Sequence, residues 1–254
     1  MARAMWKGVI SFSGIRLPVK LYAAVEDRTI RFRLLHAIDR VPVKQRMVNP
    51  LTGSIVEHGK ARRGLEVERD RFVLLRDQEL EALEPQPSRN IAVTRFIDPQ
   101  AVNHQWYDRP YYLGPDGNPA DYYAFARALE QRGREGIAHW VMRKKRYLGA
   151  LRAESGHLML MTLRHAEEVI PPEDLEAPSG RPLEARERDM GERFINALVE
   201  AFEPSRYHDE YRERVMQLIE LKRRGGTVET APVVEKHASD DLLQLLEASI
   251  ESVS

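Results

Sequence analysis

The 254-residue chain contains no cysteine. That absence excludes disulfides, a thiolate zinc site and a cysteine nucleophile, and it fits a reducing compartment such as the cytoplasm. No uninterrupted apolar run is long enough to span a bilayer and no signal peptide opens the chain, so no membrane attachment is expected. Net charge is missing as well: 39 Lys and Arg balance 39 Asp and Glu. A chain without net charge is not built to adhere to polyanions over its whole surface. No internal repeat is evident. Hydrophobic residues make up 43% of the chain, enough to bury a core, and 31% of the residues are charged, as in a soluble protein.

The zero net charge conceals an uneven distribution. Residues 1–76 carry 16 Lys/Arg against 7 Asp/Glu, and residues 131–152 carry 7 against 1. Residues 77–130 carry 4 against 9, and residues 153–254 carry 12 against 22. Two basic blocks alternate with two acidic ones. That pattern suits a polyanion-binding face on an acidic body, or simply solvated faces of opposite sign.

The chain opens with two strands in one run, Trp6 to Tyr22. Trp6, Gly8, Ile10 and Phe12 alternate with Lys7, Val9 and Ser11, Ser13-Gly14 shifts the phase by one residue, and Ile15, Leu17, Val19 and Leu21 then alternate with Arg16, Pro18 and Lys20. A phase slip at glycine marks a bulge or tight turn. Lys7, Arg16 and Lys20 fall on the outer face, where a basic surface begins. Ile30, Phe32 and Leu34, alternating with Arg31 and Arg33, predict another strand, and Val41 and Val43 with Lys44 and Arg46 resemble it. Asn49 to Gly53 reads as a turn, and Lys60, Arg62 and Arg63 follow it. Strand pairs joined by long basic connections suggest an exposed ribbon or extended loop rather than a compact core.

Further on, Phe72–Leu75 predicts a short strand, Asp77 caps a brief helix stopped by Pro85, and Ile91–Ile97 gives another strand. Trp106 to Phe125 is rich in aromatics, with a turn at Gly114–Gly117. Asp121 opens a helix that ends at Gly133. Ile137–Leu151 and His157–Leu163 predict an antiparallel pair. Pro171-Pro172 marks a sub-domain boundary. One helix with Met190, Phe194, Leu198 and Phe202 as its stripe follows, then a second capped by Ser205 with Tyr211, Val215, Leu218 and Ile219. After Gly225-Gly226 a linker leads to a short amphipathic stretch with Leu242, Leu245, Leu246 and Ile250.

Catalytic motifs fail on inspection. Gly53–Lys60 has five residues between its glycines where a phosphate loop needs four, and Ala61 replaces the magnesium-binding Ser or Thr. The eight histidines match no zinc signature, and no GxSxG elbow occurs. His208-Asp209-Glu210 suits a helix start better than catalysis. The aromatic cluster could stack bases, but core packing between sheet and helix is the preferred reading. The block Arg143-Lys144-Lys145-Arg146 lies inside a strand pattern, so its cations would point to both faces. A solvated edge that prevents sheet aggregation is one reading; a phosphate-contacting surface of Arg143, Lys144 and Arg146 with Lys20, Arg31, Arg33, Lys44, Arg46, Lys60, Arg62 and Arg63 is the preferred one. None of these sits in a base-reading helix, which favours backbone contact without sequence specificity.

Several segments in order resemble the bacterial Ku family: Trp6–Tyr22, Leu34–Arg46, Gly64–Leu75, Tyr111–Pro115, Ala150–Glu168 and Phe202–Ile219. The resemblance covers about residues 5–225. It implies a mixed β/α fold: a Ku-core-like β-barrel with an extended bridge over 1–170, a C-terminal helical arm over 171–226, and a linker with a short tail over 227–254. It also implies a homodimeric ring that threads double-stranded DNA ends in non-homologous end joining, binds no nucleotide or other cofactor, is not an enzyme, and recruits a dedicated ATP-dependent DNA ligase, ligase D. Some relatives carry a Lys-rich tail; this chain has an acidic-apolar one. Some carry cysteines near Val48–Val56; here there are none, which excludes a zinc site there. The competing readings are a metal-dependent, nuclease-like phosphodiesterase acting on DNA ends and a pure protein-interaction module.

Overall fold

The computed structural model describes residues 3–176 and 180–225. Nine strands and four α-helices follow in order: β1 (Trp6–Phe12), β2 (Ile15–Ala23), β3 (Arg63–Glu68), β4 (Arg71–Leu75), α1 (Asp77–Ala82), β5 (Asn90–Ile97), β6 (Tyr107–Pro115), α2 (Pro119–Arg132), β7 (Glu135–Met142), β8 (Lys145–Glu154), β9 (His157–Leu163), α3 (Ala185–Ala197) and α4 (Glu210–Arg223). The chain divides into two compact units. Among the described residues, the first comprises 3–28 and 32–174, the second 29–31, 175–176 and 180–225.

The core of the first unit is a closed barrel in the order β1-β2-β6-β9-β8-β7-β5. All neighbours are antiparallel except β1 and β5. β1 and β2 form a hairpin through Ser13 and Gly14, both left-handed (φ 43° and 85°). This is the two-residue turn whose twist matches its strands. Alternation then places Ile10, Leu17, Val19 and Leu21 inside, buried to 5% exposure or less. Ile91, Leu151, Leu158 and Leu160 meet them, fully buried; each such side chain contributes about 1.5–3 kcal/mol by leaving water. Trp140 stacks on Tyr147 across β7 and β8, ring centroids 5.3 Å apart. Its ring lies over Gly149, where a Cβ would fall 2.6 Å from the indole, so this position accepts nothing larger.

α2 begins two residues before the expected Asp121. The Asn118 side chain caps it by accepting from the Ala120 N–H at 3.1 Å, and Pro119 fills the first helical position. Gly133 ends it in the left-handed conformation. Tyr122, Ala126 and Leu129 are buried, so the aromatic stretch is core in part; Tyr112 and Tyr123 stay exposed. The Tyr122 hydroxyl donates to the Leu113 carbonyl at 2.5 Å and accepts from the Leu158 N–H at 2.9 Å. The Glu130 carboxylate takes the Ser155 and Gly156 N–H groups of the β8–β9 turn.

Between β2 and β5 the chain leaves the barrel. Ile30–Leu34 is not a strand: this stretch has no ladder, and Phe32 and Leu34 are 68% and 71% exposed. Alternation signals a strand only where a partner supplies hydrogen bonds and a face to bury. Only isolated bridges, Leu35 with Pro42 and Val48 with Ile55, order residues 24–62 as sheet. The stretch is an exposed extended loop rather than a ribbon of paired strands, and the turn at Asn49–Gly53 is present, with the Gly53 N–H on the Asn49 carbonyl at 2.8 Å. β3 and β4 form a separate two-stranded sheet. Asp77 is the first residue of α1 rather than its cap; the Glu79 carboxylate receives the Arg76 N–H at 2.8 Å.

In the second unit, α3 stops at Ala197, leaving Leu198 and Phe202 off the expected stripe and exposed. Glu187, Met190, Gly191 and Phe194 form the half-buried face instead. Asp209, not Ser205, caps α4 by accepting the Arg212 N–H at 2.9 Å. The short amphipathic stretch expected around Leu242, Leu245, Leu246 and Ile250, with its linker, lies outside the described residues. Among the described residues, no helix is long and apolar enough to cross a membrane.

Candidate nucleic-acid interface

The basic block 143–146 does not lie within one strand. β7 ends at Met142, which pairs with Lys145 at the start of β8, so Arg143 and Lys144 form the turn. Both are left-handed, with φ of 51° and 64°. Neither is glycine or asparagine, so composition gave no turn signal and the expectation of one long strand failed. No inward-facing cation therefore exists here: Arg143, Lys144, Lys145 and Arg146 are all exposed.

This turn meets the segment leading into β5. Lys144 pairs with Glu84 at 3.0 Å, a contact that raises the lysine pKa. Arg143 and Lys144 line a 530 Å³ cleft with Trp6, Glu84 and Arg89. Arg146 faces a neighbouring cleft with Asn90 and His139.

The remaining cations lie along the excursion between β2 and β5. Arg31, Arg33, Lys44 and Arg46 sit in its irregular part, all exposed. Lys60 pairs loosely with Glu57 at 3.4 Å. The Arg62 guanidinium donates to the Gly59 and Ala61 carbonyls at 2.9 and 3.0 Å, and Arg63 stands 3.5 Å from Asp77. Arg62 and Arg63 share a cleft with His58, Leu75 and Gln78. Lys20 differs from the rest. It is half-buried and held at 2.9 Å by Asp116, which also takes Lys7 at 3.1 Å. Asp116 raises the Lys20 pKa, and the two lysines lower that of Asp116. This pairing fastens β1 and β2 to the end of β6 and leaves Lys20 less available than the others.

Two groups beside Arg146 escaped sequence reasoning. His139 on β7 and Arg95 on β5 sit in strands whose residues gave no hint of a charged outer face, because β7 is apolar on both sides and a bulge between Val93 and Arg95 shifts the β5 register. The pKa of His139 is lowered, first by burial and then by Arg146, His165 and Arg95. Among the described residues, no group of three or more His, Asp or Glu side chains could hold a metal ion.

A closed barrel that sends a long, basic, exposed excursion out between two of its strands defines a class of binding scaffold. The family model for the Ku70/Ku80 beta-barrel domain matches residues 11–190. This chain is 37% identical, over 98% of its length and of the relative's, to the non-homologous end joining protein Ku 2 of Geotalea uraniireducens. It is 34% identical to the non-homologous end joining protein Ku of Archaeoglobus fulgidus over 99% of both chains, and 33% identical to that of Pseudomonas aeruginosa over 99% of this chain and 89% of the relative. The chain belongs to the Ku family.

Proposed function

We propose that this chain binds ends of double-stranded DNA without sequence preference, as a homodimeric ring that protects the end and recruits an ATP-dependent DNA ligase, and that it acts as a scaffold rather than an enzyme. The excursion over residues 24–89 carries the reading. It is far longer than hairpin loops of ~2–5 residues. It presents cations beside large exposed apolar side chains, including Phe32, Ile38, Leu51 and Leu74. A lone chain rarely leaves so many apolar groups in water. A second copy covering the apolar side, with phosphates on the basic side, accounts for both. In this reading residues 1–170 form the barrel and bridge, and 171–226 form a helical arm.

Sedimentation at micromolar concentration should show a dimer, with an interface above the standard ~1,600 Å². Short duplex with both ends blocked by bulky caps should fail to load, while open duplex binds without divalent metal and keeps its length. Equal binding to capped and open duplex would replace the ring by a surface patch. Metal-dependent shortening of the DNA would instead establish the nuclease reading.

A further inference from the structure

Two arginines and a histidine lie on adjacent strands of the outer barrel face. Register sets Arg95 of β5 opposite Ile137, and Arg146 of β8 opposite Val141. His139 lies between those two β7 positions, two residues from each, and is therefore the diagonal neighbour of both arginines. Ala138 and Trp140 on either side are buried in the barrel, so the imidazole points outward. With Arg146 it lines a 340 Å³ cleft, to which the segment before β5 adds Gln86 and Ser88 and the start of β5 adds Asn90, none of which titrates.

The charged surroundings are one-sided. β5 supplies Arg95, β8 supplies Arg146, and His165 follows β9 in a second cleft that Arg146 also lines. That cleft holds two carboxylates, and both are engaged: Glu168 accepts the backbone N–H of His165 at 2.7 Å, and Asp108 lies 3.6 Å from Arg164. Among the described residues, the side chains of Arg95 and Arg146 have no ion-pair or hydrogen-bond partner. Two guanidiniums on the strands flanking an imidazole, with no anion among them, leave uncompensated repulsion and free donors on one face of the sheet.

We infer that Arg95, His139 and Arg146 together grip a backbone phosphate of duplex DNA, and that His139 takes up a proton as the phosphate arrives. This rests on the DNA-binding reading above. In the free protein, burial and the neighbouring cations keep the imidazole neutral at neutral pH. A phosphate in hydrogen-bond range reverses the field and raises its pKa. Binding is then linked to proton uptake, so affinity rises as pH falls from the pKa in the complex toward that of the free protein.

The test is duplex binding by fluorescence anisotropy from pH 6 to 8.5 at fixed ionic strength, using the full chain. The wild type should tighten toward pH 6, by at most about tenfold per pH unit for one coupled proton. His139→Asn and His139→Gln should flatten that dependence, and Arg95→Gln or Arg146→Gln should each lower the salt slope by about 0.9. A flat wild-type profile, or an unchanged one in both His139 variants, would overturn the inference while leaving DNA binding intact. No duplex binding at any pH would instead remove the DNA reading itself. NMR titration of the His139 imidazole separates the sources of phosphate. Duplex should raise its pKa more than inorganic phosphate at equal ionic strength; a rise with inorganic phosphate alone would overturn the assignment to DNA.

Discussion

Glu84 meets Lys144 at 3.0 Å, tying the segment that enters β5 to the turn between β7 and β8. A DNA phosphate approaching this turn competes with that carboxylate for the lysine. Replacing Glu84 by Gln should therefore tighten duplex binding by about threefold at low salt, mainly through faster association. The double variant with Lys144→Ala should lose the gain. Because the Lys144 side chain is largely exposed and the pair is screened by solvent, folding stability should change little. Unchanged affinity in Glu84→Gln would show that this turn lies off the DNA path.

Arg143 and Lys144 occupy a left-handed turn that side chains other than glycine and asparagine adopt at some cost. Arg143→Asn combined with Lys144→Gly should raise the midpoint of chemical denaturation while weakening DNA binding and flattening its salt dependence. The opposite signs make the variant informative: a loss of binding cannot then be blamed on a loss of fold. A lowered midpoint would contradict the turn geometry.

Tyr122 is 2% exposed, and its hydroxyl serves both the Leu113 carbonyl and the Leu158 N–H. Tyr122→Phe removes the hydroxyl and leaves two buried backbone groups short of a partner. The expected loss is about 1–3 kcal/mol in denaturant unfolding. A change within experimental error would mean that water or a shift of α2 compensates.

The start of α3 should be sensitive to acid. Arg181 and then the Glu184 N–H hold the Glu187 carboxyl down at about 2. A depressed folded pKa contributes stability that is present above the unfolded value near 4.5 and is lost as pH falls toward 2. Hydrogen-exchange protection along Ala185–Ala197, taken relative to the intrinsic rate at each pH, should fall over that window, and Glu187→Gln should remove the fall. Protection that stays constant between pH 5 and 2 in the wild type would refute the assignment.

The barrel strands were legible because period-two burial repeats locally: Ile10, Leu17, Val19 and Leu21 face inward where alternation puts them. Helix ends were less legible. Asn118 and Asp209 won as caps over Asp121 and Ser205 because backbone geometry at the boundary, not residue type alone, decides which side chain reaches an amide. The same limit explains Ile30–Leu34. A strand needs a neighbour, and the described chain offers none there.

Composition and order alone determined the uneven charge, the lack of thiol chemistry, the β-rich first half and the resemblance to Ku, since these depend on residue identity and near neighbours. Only the tertiary structure decided which cations are available. It withdrew Lys20 behind Asp116, moved Arg143 and Lys144 from a strand to a turn, and set His139 between Arg95 and Arg146. Those relationships join residues far apart in sequence through strand register and barrel closure, and charge acts through distance in space, which no local pattern encodes.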